Sequence, residues 1–160
     1  MGVSAGEPQR AQSTSAPPRA VHRHPGLLAL IFVGGALGTG ARASLEDLAP
    51  ADPAGVPWMT LCINVIGSLL LGLLLETLAR TGDDTGGRRA ARLTLGTGVL
   101  GGFTTYSTFA VEAVRRLESG SLAVGLGYSV CSVVLGAAAA AGGYVVARRI
   151  TRHLTVRSRR

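Results

Sequence analysis

The chain has 160 residues, one domain's worth, and its 47% apolar content and mean hydropathy of +0.35 are high for a soluble protein that also carries sixteen arginines. The formal charge of +7 comes from Arg alone set against nine acids, but aromatics are only 4% and no stacking platform is visible. The arginines therefore read as flanks of membrane spans in contact with anionic lipid heads, with no nucleic acid as partner. Cys62 and Cys131 lie in apolar runs, and His22, His24 and His153 in basic tails, which implies neither a disulfide framework nor a metal cluster.

The stretches 27–41, 58–75, 93–111 and 119–147 contain no charged residue, and each is near the length of about 20 residues that a helix needs to cross a membrane core. They lack the strict alternation of a membrane β-barrel, and in lipid a helix satisfies its own backbone. The predicted fold is an all-α integral membrane protein of four transmembrane helices.

In chain order, residues 1–25 read as a disordered basic head rich in Ser, Ala, Pro and Arg. Helix one is expected from about Gly26 to Leu45, and a short acidic loop with Glu46, Asp47 and Asp52 follows. Helix two starts near Pro57-Trp58 and runs to about Leu78. A polar loop from Arg80 to Arg92 leads into helix three, expected over Arg92 to Arg115. Its centre, Gly96 to Thr105, holds four glycines and three threonines, which favours a broken helix. Helix four covers about Ser121 to Ala147, and residues 148–160 form a basic tail. Gly34 with Gly38, and Gly98 with Gly102, are small residues four apart that suit close helix packing.

Four spans put the N-terminus, the middle loop and the C-terminus on one side. That side carries Arg10, Arg19, Arg23, Arg80, Arg88, Arg89, Arg92, Arg148, Arg149, Arg152, Arg157, Arg159 and Arg160. Arg115 and Arg116 oppose them, so both termini are expected in the cytoplasm of a multi-pass cell-membrane protein.

Within the apolar runs stand Asn64 with Ser68, the run Thr104-Thr105-Tyr106-Ser107-Thr108-Phe109, and the Tyr128-Ser132 pair, with Arg42 close by in helix one. They offer hydrogen-bond donors and aromatic edges, with no carboxylate in the runs to hold a cation. Such a surface suits a small hydrated anion.

The stretch Gly98-Val-Leu-Gly-Gly-Phe-Thr-Thr-Tyr-Ser-Thr-Phe109 resembles the signature of the CrcB/Fluc fluoride channel family. Gly34-Gly35-Ala-Leu-Gly38 with Arg42, and Asn64-Val-Ile-Gly67-Ser68, resemble two further family features, so the likeness covers about residues 26–147. It implies a passive fluoride channel of two antiparallel subunits with a structural sodium ion at the centre, its physiological role being export of cytoplasmic fluoride. It places Asn64, Ser107, Thr108 and Phe109 on the fluoride pathway, to which the donor-and-ring surface adds Tyr106 and Ser132, and it places the sodium on the main-chain carbonyls of Gly101 and Thr104. Arg42 matches a motif arginine, with anion attraction and a structural role both open. Tyr106 stands where the family has Phe, and Ala43 where it has Tyr. With the lopsided charge this motivates a heterodimer with an oppositely oriented paralogue beside the homodimer. Two rivals are a non-conducting structural subunit and a small proton-coupled exporter, for which Glu76 and Glu112 lie towards helix ends. No nucleophile, base and orienting group fall at a spacing that suggests an enzyme.

Overall fold

The computed structural model describes residues 24–50 and 55–157, and these are helical apart from short connections. All but the last two residues of the expected head, and part of the acidic loop, lie outside the described residues. Helix α1 spans Pro25–Leu48, with Pro25 in the first turn, where its missing N–H leaves no bond unmade. Helix α2 spans Trp58–Thr81. The third element is composite. A short α3 (Gly86–Ala91) widens into π-helical turns over Arg92–Leu100, then tightens to a single turn, α4 (Gly101–Phe103). Thr104 and Thr105 are extended, and α5 (Tyr106–Glu118) resumes beyond them. Helix α6 runs over Leu122–Arg157, so the basic stretch after Ala147 continues the helix as far as Arg157.

Among the described residues three helices are long and apolar enough to cross a membrane: α1, α2 and the Leu122–Arg152 part of α6. The expected third span is cut at Thr104–Thr105 into pieces, none of which is of that length. The break is narrower than the glycine content suggests. Gly96, Gly98, Gly101 and Gly102 all stay helical, because their missing side chains serve wide turns and close packing, and the Gly101 N–H still finds the Gly96 carbonyl, five residues back.

Gly34 and Gly98 face one another. A Cβ on Gly34 would stand 2.6 Å from the Thr94 carbonyl oxygen, and one on Gly98 3.1 Å from the Gly34 Cα. Gly38 has no room for a Cβ against the Val99 carbonyl, and one on Gly102 would lie 2.5 Å from the Gly35 oxygen. Because 34 pairs with 98 and 38 with 99 and 103, α1 runs parallel to the third element. Helices α2 and α6 are likewise parallel, with Ser68 against Gly136, Gly72 against Ala140 and Leu73 against Gly143. Asn64 meets Thr105 and Thr60 meets Glu112, so α2 runs antiparallel to the third element. The start of the third element and the ends of α2 and α6 therefore share one end of the molecule. Arg80, Arg88, Arg89, Arg92, Arg148, Arg149 and Arg152 gather there.

The buried core is small, with Leu61, Ala113 and Tyr128 at its centre. Large apolar side chains are exposed instead, Phe32 at 77% and Leu37 at 66% among them. In water such a surface would associate; against lipid tails it is matched to its solvent.

Candidate functional site

The break at Thr104–Thr105 is held open by α2. Asn64 Nδ2 donates to the Thr105 carbonyl at 3.0 Å, and Asn64 Oδ1 accepts from the Thr105 N–H at 2.8 Å. One carboxamide thus replaces both backbone partners that a helix would supply, and Thr105 is only 8% exposed, where an unpaired amide is costly. Gly67, one turn along α2, has no room for a Cβ against Thr104 Cγ2, so its smallness lets the extended pair lie on the helix. Thr105 then caps α5: its Oγ1 accepts from the Thr108 N–H at 3.1 Å and donates to Thr108 Oγ1 at 3.0 Å, with Ser107 Oγ 3.2 Å away.

The diverted Thr105 N–H has a second effect. In a continuous α-helix it would close on the Gly101 carbonyl, four residues back. That carbonyl loses its helical partner, and Thr104, with ψ of 154°, turns its own carbonyl out of the helix.

Beside the break lies an open cleft of about 330 Å³ between α2, the third element and α6. Asn64, Gly101, Thr104, Tyr106, Phe109 and Ser132 all line it. Ser107 and Thr108 do not; their hydroxyls serve the cap. Arg42 is on the far side of the third element, where its Nε approaches the Gly102 carbonyl at 3.4 Å and its Nη1 pairs with Glu46 at 2.9 Å. The Ser132 hydroxyl is buried without a hydrogen-bond partner among the described residues. Three rings step along the wall: Phe109 is tilted against Tyr106 at 5.9 Å and against Tyr128 at 5.4 Å between centroids. Tyr106 is 80% exposed, at the outer margin of the cleft.

Beyond Tyr128 is a buried polar cluster. Glu112 accepts from Thr60 Oγ1 and from the Tyr128 hydroxyl, each at 2.9 Å. Arg116 donates to the Gly55 carbonyl at 2.7 Å and the Glu112 carbonyl at 2.8 Å, and its guanidinium stands 5.9 Å from the Tyr128 ring centre. Towards the end of the expected third span, Glu112 stands in the middle of the shorter α5 and is only 9% exposed. The signal is its spacing: Phe109, Glu112 and Arg116 fall three and four apart on one helix face, as do Tyr128 and Ser132. Among the described residues no group of three or more His, Cys, Asp or Glu could hold a metal ion.

A family model described as CrcB-like protein, Camphor Resistance (CrcB), matches residues 29–144. The chain is 50% identical over 115 residues to fluoride-specific ion channel FluC 1 of Cutibacterium acnes, covering 72% of this chain and 80% of that protein. It is 48% identical over 130 residues to fluoride-specific ion channel FluC 2 of Leifsonia xyli subsp. xyli, covering 81% and 89%. With FluC 1 of Mycobacterium bovis it shares 42% over 123 residues, covering 77% and 91%.

Proposed function

The chain belongs to the CrcB family, and we propose from that footing that it is a subunit of a fluoride-selective passive channel that lets cytoplasmic fluoride out. The observation that carries this is the cleft at the helix break, whose wall offers an amide, hydroxyls and ring edges and no acidic side chain. Fluoride is small and strongly hydrated, so its shell must be exchanged for fixed donors, and anions favour the positive edge of a ring over its face. Asn64 keeps one amide hydrogen beyond its bond to Thr105. Ser132 keeps its whole hydroxyl. Tyr106 and Phe109 bring edges.

One chain makes an open cleft, and closing it takes a second subunit. The exposed faces of α1 and Tyr106 provide apolar surface for one. We take the pair to be antiparallel and the four passes to alternate, with the arginine-rich end and both termini in the cytoplasm. That imbalance makes insertion in a single direction the natural outcome, and it favours an oppositely oriented paralogue as partner over an inverted copy. The residues present fit a central sodium ion: the carbonyls of Gly101 and Thr104 are released by the break, and carbonyl oxygen suits a hard cation. Two carbonyls from one chain are too few for such an ion, which is a further reason for a second subunit. The ion's contribution there is a fixed positive charge.

Buried Glu112 supports a second reading, a proton-coupled exporter, since such a machine needs an embedded carboxylate. Its two bonds to Thr60 and Tyr128 are those of a group already engaged in helix packing.

Fluoride efflux from liposomes holding the purified chain, alone and with a paralogue, tests these readings against a chloride control. Fluoride-selective efflux that needs no proton gradient is expected, and efflux only with the paralogue identifies the heterodimer. Dependence on a proton gradient would move the reading to the exporter. Silence in both preparations, unchanged by Tyr106→Phe, would reduce the chain to a structural subunit.

A further inference from the structure

Glu46 sits where helix physics disfavours an acid. It lies in the last turn of α1, which ends at Leu48, so its carboxylate faces the negative end of the helix dipole. Its pairing with Arg42 has the base four residues before the acid, the weaker of the two orders on a helix. One oxygen, Oε2, holds Arg42 Nη1 at 2.9 Å; the other, Oε1, is buried with no hydrogen-bond partner among the described residues. Local stability therefore gives little reason for a carboxylate here, and such departures from local rules concentrate at functional places.

Its partner is the one basic residue of α1, and it reaches the third element. Arg42 Nε approaches the carbonyl of Gly102, two residues before the extended pair, and Thr39 Oγ1 shares that carbonyl at 3.4 Å. Both members of the pair are mostly covered, with side chains 20% and 26% exposed, so solvent screens the guanidinium weakly and the carboxylate beside it largely cancels its field.

We infer that Glu46 is a positioning residue that sets how much of the Arg42 charge an anion near the helix break experiences, an inference that rests on the channel reading above. With Glu46 in place the pair is neutral at a distance and the guanidinium is held against Gly102. Without it, a full positive charge remains across the third element from the cleft, acting on an anion there through the low dielectric between them. A unit charge about one Debye length, roughly 10 Å, from an ion in an effective dielectric of about 20 changes its local concentration roughly threefold once salt screening is included.

The experiment measures fluoride efflux against fluoride concentration in liposomes for the wild-type chain in its conducting assembly and for Glu46→Gln, Glu46→Asp, Arg42→Gln and the double variant Arg42→Gln/Glu46→Gln. Glu46→Gln is expected to lower the half-saturating concentration about threefold with a smaller change in the maximal rate. Glu46→Asp, which keeps the charge but shortens the reach, should shift it part of the way and covers a failure of Glu46→Gln to fold. The double variant should match Arg42→Gln alone. An unchanged half-saturating concentration in both Glu46 variants overturns the inference, as does a Glu46→Gln effect that survives without Arg42. A wild-type assembly that moves no fluoride instead removes the channel reading, and this inference with it.

Discussion

Replacing Asn64 by Ala removes both bonds that hold the helix break, the donor at 3.0 Å and the acceptor at 2.8 Å, and offers Thr105 nothing in return. Measured hydrogen bonds between membrane helices average only about 0.6 kcal/mol, which sets a floor near 1.2 kcal/mol for the pair. The floor is too low here, because both groups left behind belong to the backbone of a buried residue, and an unsatisfied buried group costs about 1–3 kcal/mol. A loss of about 2–6 kcal/mol follows. The Thr105 N–H also becomes free to close on the Gly101 carbonyl, which would extend α4 through the break and withdraw that carbonyl from the cleft. Asn64→Ala should therefore lower stability in detergent by about this amount and abolish fluoride efflux. Asn64→Asp separates the two effects: its carboxylate still accepts from the Thr105 N–H but sets a negative charge against the Thr105 carbonyl and in the anion's way. It should conduct no better than Ala while losing less stability than Ala does. If Asn64→Ala conducts normally and its stability falls by less than about 0.5 kcal/mol, the break is held by something else and the reasoning fails.

Ser132→Ala should leave stability unchanged or raise it by up to about 1 kcal/mol, since it removes a buried hydroxyl without a partner, and efflux should fall severalfold; a thermal shift read beside the flux checks both. Gly38→Ala drives a methyl into the Val99 carbonyl, backbone that cannot turn aside, and is expected to cost about 1–3 kcal/mol in chemical unfolding, whereas Gly40→Ala, with open space around it, should cost nothing from packing. In the loop before the third element, the hydrogen bond from Arg92 holds the Asp84 carboxyl below its ordinary value of 3.8, with the nearby charge of Arg92 and Arg89 adding to the shift. A carboxyl lowered by folding stabilises the loop above its unfolded value and loses that contribution as the pH falls below about 4. Amide protection over Gly86–Ala91, corrected for the intrinsic exchange rate at each pH, should accordingly fall modestly under acid in the wild-type chain and be lower and insensitive to pH over this range in Asp84→Asn.

The spans were legible in sequence because lipid forces each backbone group to find its partner inside its own helix, so an apolar run of the right length has one stable form. Helices α1 and α2 accordingly begin and end within three residues of expectation, and the arginines that mark one end of the molecule could be assigned by alternation alone. The break in the third element was readable as to its place in the chain, but its width was not: glycine shows where a helix can open, and the decision lay with Asn64, 41 residues away. Contacts between separate segments likewise hid the close pairing of α1 with the third element and the burial of Glu112, which Thr60 and Tyr128 reach from two other helices. Composition and hydropathy set which segments enter the membrane, since that choice is local. Which carbonyl is freed, which hydroxyl is left without a partner and which charge is cancelled depend on contacts between segments, and only the tertiary structure decides those.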